Sequence, residues 1–457
     1  MTRYRIAPGV QARTESTSDW CARHLREHLP RLVEAIRGGE ARSAADLAGL
    51  FPGSVLGAAF AEAARSGSPW ALPRDVVLPP SPFPLAAEFT GSGRQVRFGL
   101  KDPAAWAALA GLFLGPEAGR PPQAEAFARA LVEAGHIEPA DAPADRPRRA
   151  PGVYRLQHAC ALVVGAEAQL LVDPVHFIDG GDPIRPQDIG PVDAILLTHA
   201  HSDHVCPLSL AHYPRRTPIL IYPSLGGSLL GVELDTILEA AGFTGVRVME
   251  CGQSVVFGDL TVTARRYFGE QPWLAHPPPD PRLRACGLTW IVEAGGRRFW
   301  FVADGGGEHG GSMLDEANEV RDTVGRIDLI AANLREFRWS PRQIDGSGRA
   351  LLCYPTGLLF DPSAWPHDRL MTLGLRGAVE LARRAGARFV APYAHWFHAP
   401  GASVGLDDGR TEEQLLAEFD AIGQGAVEAA GWRIGDALTI GADGSLMLHR
   451  GAFGQRR

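Results

Sequence analysis

The stretch DAILLTHAHSDH, residues 193–204, constrains this chain more than any other part of its sequence. An apolar run typical of a buried strand leads into a loop that places four metal-binding side chains within six residues: His199, His201, Asp203 and His204. Two imidazoles separated by one residue can reach the same cation, while the aspartate and the last histidine turn towards a second. Neutral imidazole and carboxylate are the usual protein ligands of borderline divalent metals. The stretch therefore predicts a two-metal site on a loop that follows a buried strand.

The rest of the chain divides at the charged, proline-rich segment Pro143–Gly152. Residues 1–148 carry apolar residues at helical spacing and end several of these patterns in glycine, which predicts a small, mainly helical N-terminal domain. Its order of helices is similar to that of a winged-helix unit, and a helical cap or dimerisation domain is the alternative. We expect this domain to act in recognition or in dimerisation, the latter giving a homodimer. Residues 153–457 alternate short β-rich segments with helical ones, which predicts an α/β catalytic domain built in layers.

Composition limits the classes of partner that the chain can bind. The formal net charge of −7 leaves no basic footprint, so we expect no nucleic-acid partner. No apolar run reaches the ~18 residues of a membrane helix, and the N-terminus has no signal-peptide pattern, so we expect a cytoplasmic protein without a membrane partner. The six cysteines form no CxxC pair, which is typical of reduced thiols.

Three motifs in order resemble those of the metallo-β-lactamase-fold superfamily. The stretch THAHSDH resembles the HxHxDH hallmark of that superfamily, and the resemblance covers about 250 residues from Val153 to roughly His398. It implies an αββα sandwich for the catalytic domain. The motif FVADGGG resembles the strand-plus-aspartate motif and implies that Asp304 bridges both metals. The motif VAPYAHWF resembles the terminal strand-plus-histidine motif and implies that His395 is the last ligand, with His398 as the alternative.

Residues of the opening strands are candidates for positions around the metals. In QHACALVV and LLVDP, the resemblance implies that His158 and Asp173 line or support the site. A core histidine and a turn-forming aspartate are the alternative interpretations. Asp193, at the start of the strand before the histidine motif, is a candidate for orienting an imidazole, or else a residue that merely opens a strand.

The third ligand position holds no histidine. Glu270 directly follows the predicted strand LTVTARRYF, the place from which the third ligand of the superfamily projects. His276, in the proline-rich stretch WLAHPPPDPR, is the alternative. With the glutamate, one metal is bound by His199, His201, Glu270 and Asp304, and the other by Asp203, His204, His395 and Asp304. We expect Glu270 and Asp304 to be the residues on which catalysis depends most.

This ligand set resembles that of one branch of the superfamily, the dinuclear iron oxygenases typified by the chloramphenicol-pathway β-hydroxylase. Three carboxylates beside four imidazoles form a hard, anionic set that favours Fe or Mn over Zn. The resemblance implies a diiron monooxygenase in specialised-metabolite biosynthesis, with two Fe ions, O2 as co-substrate, an external electron donor and a separate reductase. Its substrate would be amino-acid-derived, carrier-tethered or a peptide. The alternative is a dinuclear Zn or Mn hydrolase of the phosphodiesterase, lactonase or amidase type.

Overall fold

The description of the fold rests on a computed structural model of the 457-residue chain. The structure describes residues 3–14, 28–66, 86–91, 93–99, 103–114, 122–140, 146–176, 184–199, 203–223, 234–269, 287–308, 310–336, 338–339, 369–394 and 410–453. No helix among these residues is both long enough and apolar enough to cross a bilayer.

The N-terminal part combines helices with short strands. Its helices are α1 (Leu29–Arg37), α2 (Ala44–Leu50), α3 (Val55–Ser66), α4 (Pro103–Leu114) and α5 (Pro122–Glu133). Its strands are β1 (Arg3–Ile6), β2 (Gln11–Thr14), β3 (Ala86–Thr90), β4 (Val96–Gly99) and β5 (Ile137–Ala140). Strand β1 pairs with β5, while β2, β3 and β4 form an antiparallel sheet. The strands therefore add to the mainly helical pattern that the sequence predicts.

Helix ends in this part follow from local chemistry. Ser43 precedes α2, and its hydroxyl accepts a hydrogen bond from the backbone N–H of Asp46, which satisfies one of the free donors of the first turn. Helix α4 is apolar along its length and buries Trp106 and Leu109 in a core that continues into the next domain. The Phe113 ring stacks on the ring of His212 with centroids 3.9 Å apart, so the two parts of the chain are in direct contact.

The part of the chain that begins with residue 152 contains two mixed sheets. Its strands up to residue 266 are β6 (Gly152–Arg155), β7 (Ala161–Val164), β8 (Gln169–Val172), β9 (Ala194–Leu196), β10 (Ile219–Ile221), β11 (Val246–Val248), β12 (Ser254–Phe257) and β13 (Leu260–Arg266). The later strands are β14 (Leu288–Ala294), β15 (Arg297–Ala303), β16 (Gly307–Glu308), β17 (Gly311–Ser312), β18 (Leu329–Ala332), β19 (Arg338–Trp339), β20 (Arg369–Leu370), β21 (Phe389–Pro392), β22 (Glu428–Ala429), β23 (Ala437–Ile440) and β24 (Leu446–His449).

The strand order within the described residues is that of a sandwich. The first sheet runs β11-β10-β9-β8-β7-β6-β23-β24, and the second runs β12-β13-β14-β15-β18-β21-β22. Strands β8 to β11 are parallel to one another, as are β15, β18, β21 and β22. Helices of this part are α6 (Pro186–Ile189), α7 (Pro207–Leu210), α8 (Leu234–Ala240), α9 (Met313–Thr323), α10 (Gly374–Ala385) and α11 (Glu412–Gly423).

Alternating side chains of the second sheet serve two cores. In β14, Trp290 and Val292 belong to the core between the sheets, whereas Ile291 belongs to the core beneath α9, α10 and α11. Successive side chains of a strand point to opposite faces, so a strand covered on both sides reads as an unbroken apolar run. The sequence LTWIVEA shows this pattern, and the outcome is the layered α/β arrangement that the sequence predicts.

Candidate metal centre

The site residues lie at one edge of the sandwich, where strands of both sheets end. Asp173 follows β8, His199 follows β9, and Asp304 follows β15. His158 lies in the turn after β6, which runs in the same direction as β8 because each is antiparallel to β7. The carboxyl ends of parallel strands meet at one sheet edge, which is where open α/β sheets bind ligands.

His204 is held from both sides by carboxylates. Its Nδ1 lies 2.8 Å from Asp173 Oδ2 and its Nε2 lies 2.8 Å from Asp304 Oδ2, and all three side chains are buried. Burial disfavours the charged imidazole, but the carboxylates of Asp304 and Asp173 raise the pKa of His204 well above its ordinary value. A cation bound at Nε2 of His204 would therefore compete with a proton.

Asp173 fixes the orientation of this imidazole. It accepts hydrogen bonds from the Thr198 backbone N–H at 2.8 Å and from the Thr198 hydroxyl at 2.6 Å, in addition to its contact with His204. Burial raises the pKa of Asp173, and the hydrogen bonds from His204 and Thr198 oppose that rise. A carboxylate behind a histidine selects the tautomer that presents the other ring nitrogen to a metal.

His199 lies beside the carboxylate of Asp304. Its Nε2 is 3.6 Å from Asp304 Oδ2, and its Nδ1 is 3.0 Å from the Thr198 hydroxyl oxygen. The ring stacks nearly parallel on Tyr267, with centroids 5.0 Å apart, and its centroid is 4.0 Å from that of His204. The stacked tyrosine covers one face of the ring and so limits its rotation.

His158 and Asp203 form the other side of the cluster. His158 Nε2 lies 3.1 Å from Asp203 Oδ2, and its ring centroid is 5.7 Å from that of His204. The His158 side chain is buried, whereas the Asp203 side chain is 26% exposed. The structure therefore places His158, which the sequence predicts to line or support the site, among side chains that could hold a metal ion.

These side chains form two overlapping sets with the chemistry of metal ligands. Donor atoms of His199, His204 and Asp304 lie within 4.8 Å of one another, and so do those of His158, Asp203 and His204. Imidazole nitrogens and carboxylate oxygens thus meet in two adjacent sets that share His204, a combination of donors that suits divalent transition metals. The described residues therefore fit a metal centre.

The Asp304 carboxylate also accepts a hydrogen bond from a side-chain amide. Asn333, which follows β18, donates from Nδ2 to Asp304 Oδ1 at 2.5 Å and to the carbonyl oxygen of Ala394 at 2.8 Å. Its own Oδ1 accepts from the Arg335 backbone N–H at 2.9 Å. The side-chain amide is thus fully engaged within a buried network.

Backbone strain is concentrated around the centre. Non-glycine residues with positive φ in the described ranges are His158 (45°), Asp173 (42°), Ala303 (52°), Ala394 (57°) and Gln424 (52°). The first two belong to the cluster, and Ala303 and Ala394 directly precede Asp304 and the predicted ligand His395. Each such conformation costs on the order of 1–3 kcal/mol and persists only where surrounding contacts over-determine it.

Several predicted residues fall outside the described residues: His201, Glu270, His276, His395 and His398. Their part in the centre stays a prediction, including the choice between Glu270 and His276 and that between His395 and His398. Two of these positions directly follow described residues in the sequence: Glu270 follows Gly269, after β13, and His395 follows Ala394, after β21.

Asp193 occupies the opposite end of its strand from the centre. Its carboxylate accepts from Arg146 Nη2 at 2.8 Å and from the Gln169 backbone N–H at 2.8 Å. These contacts place the Asp193 carboxylate beside Arg146 and Gln169, whereas the Asp173 carboxylate contacts His204 Nδ1.

Two contributors escaped the sequence reasoning. Thr198 stands directly before the first histidine of the motif, where its hydroxyl lies between Asp173 and His199. Asn333 ends the buried run LIAAN, just as Asp304 ends FVAD. A polar residue directly after a fully buried strand is the signal that points to both Asp304 and Asn333.

The segment that contains these residues matches a known protein-family model. Residues 169–396 match the family model described as a β-lactamase superfamily domain. This part of the chain has the metallo-β-lactamase fold. The matched segment includes each predicted ligand from His199 to His395.

Individual relatives match parts of the chain. It is 32% identical over 121 residues to the UPF0173 protein PF0020 of Pyrococcus furiosus, which covers 26% of this chain and 49% of that protein. It is 29% identical over 191 residues to the 4-amino-L-phenylalanyl-(CmlP-peptidyl-carrier-protein) 3-hydroxylase of Streptomyces venezuelae, which covers 38% of this chain and 34% of that protein. The alignments thus span about half or less of these relatives.

A solved structure matches over nearly the whole length. CmlA, a diiron β-hydroxylase from Streptomyces venezuelae, superposes with a TM-score of 0.59 at 17% identity, covering 94% of this chain and 98% of that chain. At this identity the similarity establishes the fold.

Proposed function

We propose that the chain is a diiron monooxygenase that hydroxylates an amino-acid-derived substrate. The observation that carries the proposal is the extent of the structural similarity to the diiron β-hydroxylase CmlA. It covers 94% of this chain, so it includes the N-terminal part as well as the metallo-β-lactamase domain. A shared arrangement of both parts is a more specific likeness than a shared catalytic fold, which supports many chemistries.

The composition of the donor set supports iron. His199, His204 and Asp304 meet in the buried centre, and Asp203 lies beside His158. With Glu270 added as predicted, the carboxylates give a harder and more anionic set than the nitrogen-rich sites of zinc hydrolases. An anionic set offsets the charge of two cations and stabilises the oxidised form of an iron pair.

The iron pair would supply the reduction of O2 when bound. The overall reaction takes one C–H bond, O2, two electrons and two protons to one C–OH bond and water, so an external electron donor is required. His199, His204 and Asp304 would hold the metals, together with the predicted ligands outside the described residues. Asp173 would keep Nε2 of His204 free for metal by accepting a hydrogen bond from Nδ1–H. Burial of the centre would exclude bulk water from it.

An aminoacyl group tethered to a carrier protein is the substrate class that we propose. The Streptomyces venezuelae relative is a hydroxylase of 4-amino-L-phenylalanyl on a peptidyl carrier protein, and this chain is 29% identical to it over 191 residues. A free amino acid and a peptide are the alternatives that the experiment separates.

Metal content and reduction spectra test the reaction class. The protein purified from iron-supplemented cells should contain about two Fe per chain, show visible absorption when oxidised, and lose it on anaerobic reduction. Single-turnover oxidation of the reduced protein in 18O2 should place one labelled oxygen in a carrier-tethered aminoacyl substrate. The same amino acid, free or within a peptide, serves as the control for tethering.

A hydrolase would give the opposite pattern. Zinc as the bound metal, together with O2-independent cleavage of an ester, lactone or phosphodiester, would refute the oxygenase proposal. If the free amino acid also gains one labelled oxygen, the protein is still a monooxygenase, but its substrate need not be tethered to a carrier protein.

A further inference from the structure

Strand β18 lies between the two strands of the second sheet whose ends carry Asp304 and the predicted ligand His395. Asn333, the first residue after β18, therefore stands between both ends. We propose that Asn333 is a positioning residue that fixes the bridging carboxylate and the strand end that leads to His395. The inference rests on the metal-binding part of the proposed function and is independent of the reaction that the metals perform.

The side chain of Asn333 connects the two strand ends directly. Its amide nitrogen donates to Asp304 Oδ1 at 2.5 Å and to the Ala394 carbonyl oxygen at 2.8 Å. Both hydrogens of the amide are used, one on each neighbouring strand end. Asn333 is 1% exposed, so these hydrogen bonds form without competition from bulk water.

The backbone of the same residue adds a third connection. Asn333 N–H donates to the Ala303 carbonyl oxygen at 2.9 Å. On the other side of β18, the carbonyl oxygen of the preceding residue, Ala332, accepts from Tyr393 N–H at 3.1 Å. Ala303 and Ala394 both adopt positive φ, a conformation that an alanine keeps only when neighbouring contacts enforce it. The contacts of Asn333 with both strained residues supply that restraint.

The choice of an amide has a chemical consequence for the carboxylate. Asn333 occupies Oδ1 of Asp304, which leaves Oδ2 directed at the imidazoles, 2.8 Å from His204 Nε2 and 3.6 Å from His199 Nε2. An uncharged donor orients the carboxylate without neutralising it. An arginine or lysine in the same place would compete with the metals for its negative charge.

Cobalt(II) binding to the metal-free protein tests the role of Asn333. Asn333→Ala should weaken Co(II) binding by about 10- to 100-fold, the usual effect of removing a partner of a metal ligand. The visible d–d bands of the Co(II) protein should shift, because the Asp304 carboxylate is no longer held in one orientation. Asn333→Gln keeps the amide but moves it by one methylene, and should change affinity and spectrum in the same direction by a smaller factor.

Thr289→Val is the matched control for general destabilisation. Thr289 is buried in the same sheet, where its hydroxyl donates to the Arg266 carbonyl oxygen at 3.2 Å and accepts from Trp300 Nε1 at 2.9 Å. The Thr289→Val substitution should lower the melting temperature while leaving the Co(II) affinity and the Co(II) spectrum unchanged. Either Asn333 variant that melts cooperatively yet binds Co(II) like the wild type overturns the inference, as does an equal loss in Thr289→Val. Wild-type protein that binds no Co(II) would instead refute the metal centre itself.

Discussion

Replacing Asp173 with asparagine changes one atom behind the metal centre and removes one charge. The carboxylate accepts three hydrogen bonds, two at Oδ2 from the Thr198 hydroxyl and His204 Nδ1, and one at Oδ1 from the Thr198 backbone N–H. An asparagine has one acceptor oxygen and one NH2 group in the same space. Whichever way the amide turns, its NH2 group meets at least one donor.

The two orientations of the amide have different consequences. If its NH2 group faces His204, the imidazole must accept at Nδ1 and carry its proton on Nε2, the atom that binds metal. The other orientation leaves the buried Thr198 N–H unsatisfied, at a cost of about 1–3 kcal/mol, so the first orientation is favoured. We therefore expect Asp173→Asn to weaken metal binding by about 10- to 100-fold, equivalent to about 1.4–2.7 kcal/mol.

Stability of the metal-free protein should change less than metal affinity. Burial raises the pKa of Asp173, which means that holding a charge there already costs free energy in the folded state. Removing the charge relieves that cost and offsets part of the lost hydrogen bonding. Asp173→Asn should therefore fold and show a clear defect only when metal is added.

Calorimetric titration with Zn(II) or Co(II), alongside thermal melts with and without metal, measures both quantities. Asp193→Asn is the matched control, because Asp193 also accepts a backbone N–H from the neighbouring strand but lies at the far end of β9. Wild-type metal affinity in Asp173→Asn, or an equal defect in Asp193→Asn, would refute the reasoning.

Three further predictions follow from the sequence and the site. Glu270→Ala should remove about one metal per chain in elemental analysis, whereas His276→Ala should retain both; the reverse result assigns the ligand to His276. Because the pKa of His204 is raised in the metal-free site, metal competes with a proton there, so affinity measured by titration should fall by about tenfold per unit as the pH drops towards 6.5; constant affinity would contradict this. A Cβ on Gly306 would lie 1.9 Å from a backbone carbonyl oxygen, whereas one on Gly307 has its nearest neighbour at 3.8 Å. Gly306→Ala should therefore lower the free energy of unfolding by about 1–3 kcal/mol while Gly307→Ala changes it little, and equal denaturation midpoints would refute the steric argument.

The fold and the position of the metal centre were predictable because their signals are local. The HxHxDH pattern after a buried strand and the aspartate that ends FVAD need no knowledge of distant contacts. A ligand after a buried strand lies at a sheet edge whatever the order of the strands. The family model and the structural similarity confirm the metallo-β-lactamase fold that these motifs implied.

The distinction between Asp173 and Asp193 needed the pairing of strands. Both aspartates border strands of the first sheet, and either one reads as a partner for an imidazole. Strands β8 and β9 are parallel, so the end of β8 and the start of β9 lie at opposite edges of the sheet. The direction of the strands thus assigns Asp173 to the metal edge and Asp193 to the other.

Long-range pairing also explains what was missed. The short strands of the N-terminal part carry weak periodicity, and β1 pairs with β5 across more than 130 residues of chain. The contacts of Asn333 with Asp304 and Ala394 depend on the strand order β15-β18-β21, which brings segments that are distant in sequence side by side. Such neighbours arise from tertiary packing, which a short sequence window does not report.

The parallel strands β15, β18 and β21 fix the distance between two predicted ligand positions of the metal centre. Neighbouring strands are about 4.8 Å apart, so the strand ends that carry Asp304 and residue 395 are separated by two steps, about 10 Å. This interval is set by backbone hydrogen bonds and is unaffected by which side chains project from the ends. A single exchange of ligand type at a strand end can therefore alter the metal preference of the centre while the spacing of the strands stays the same.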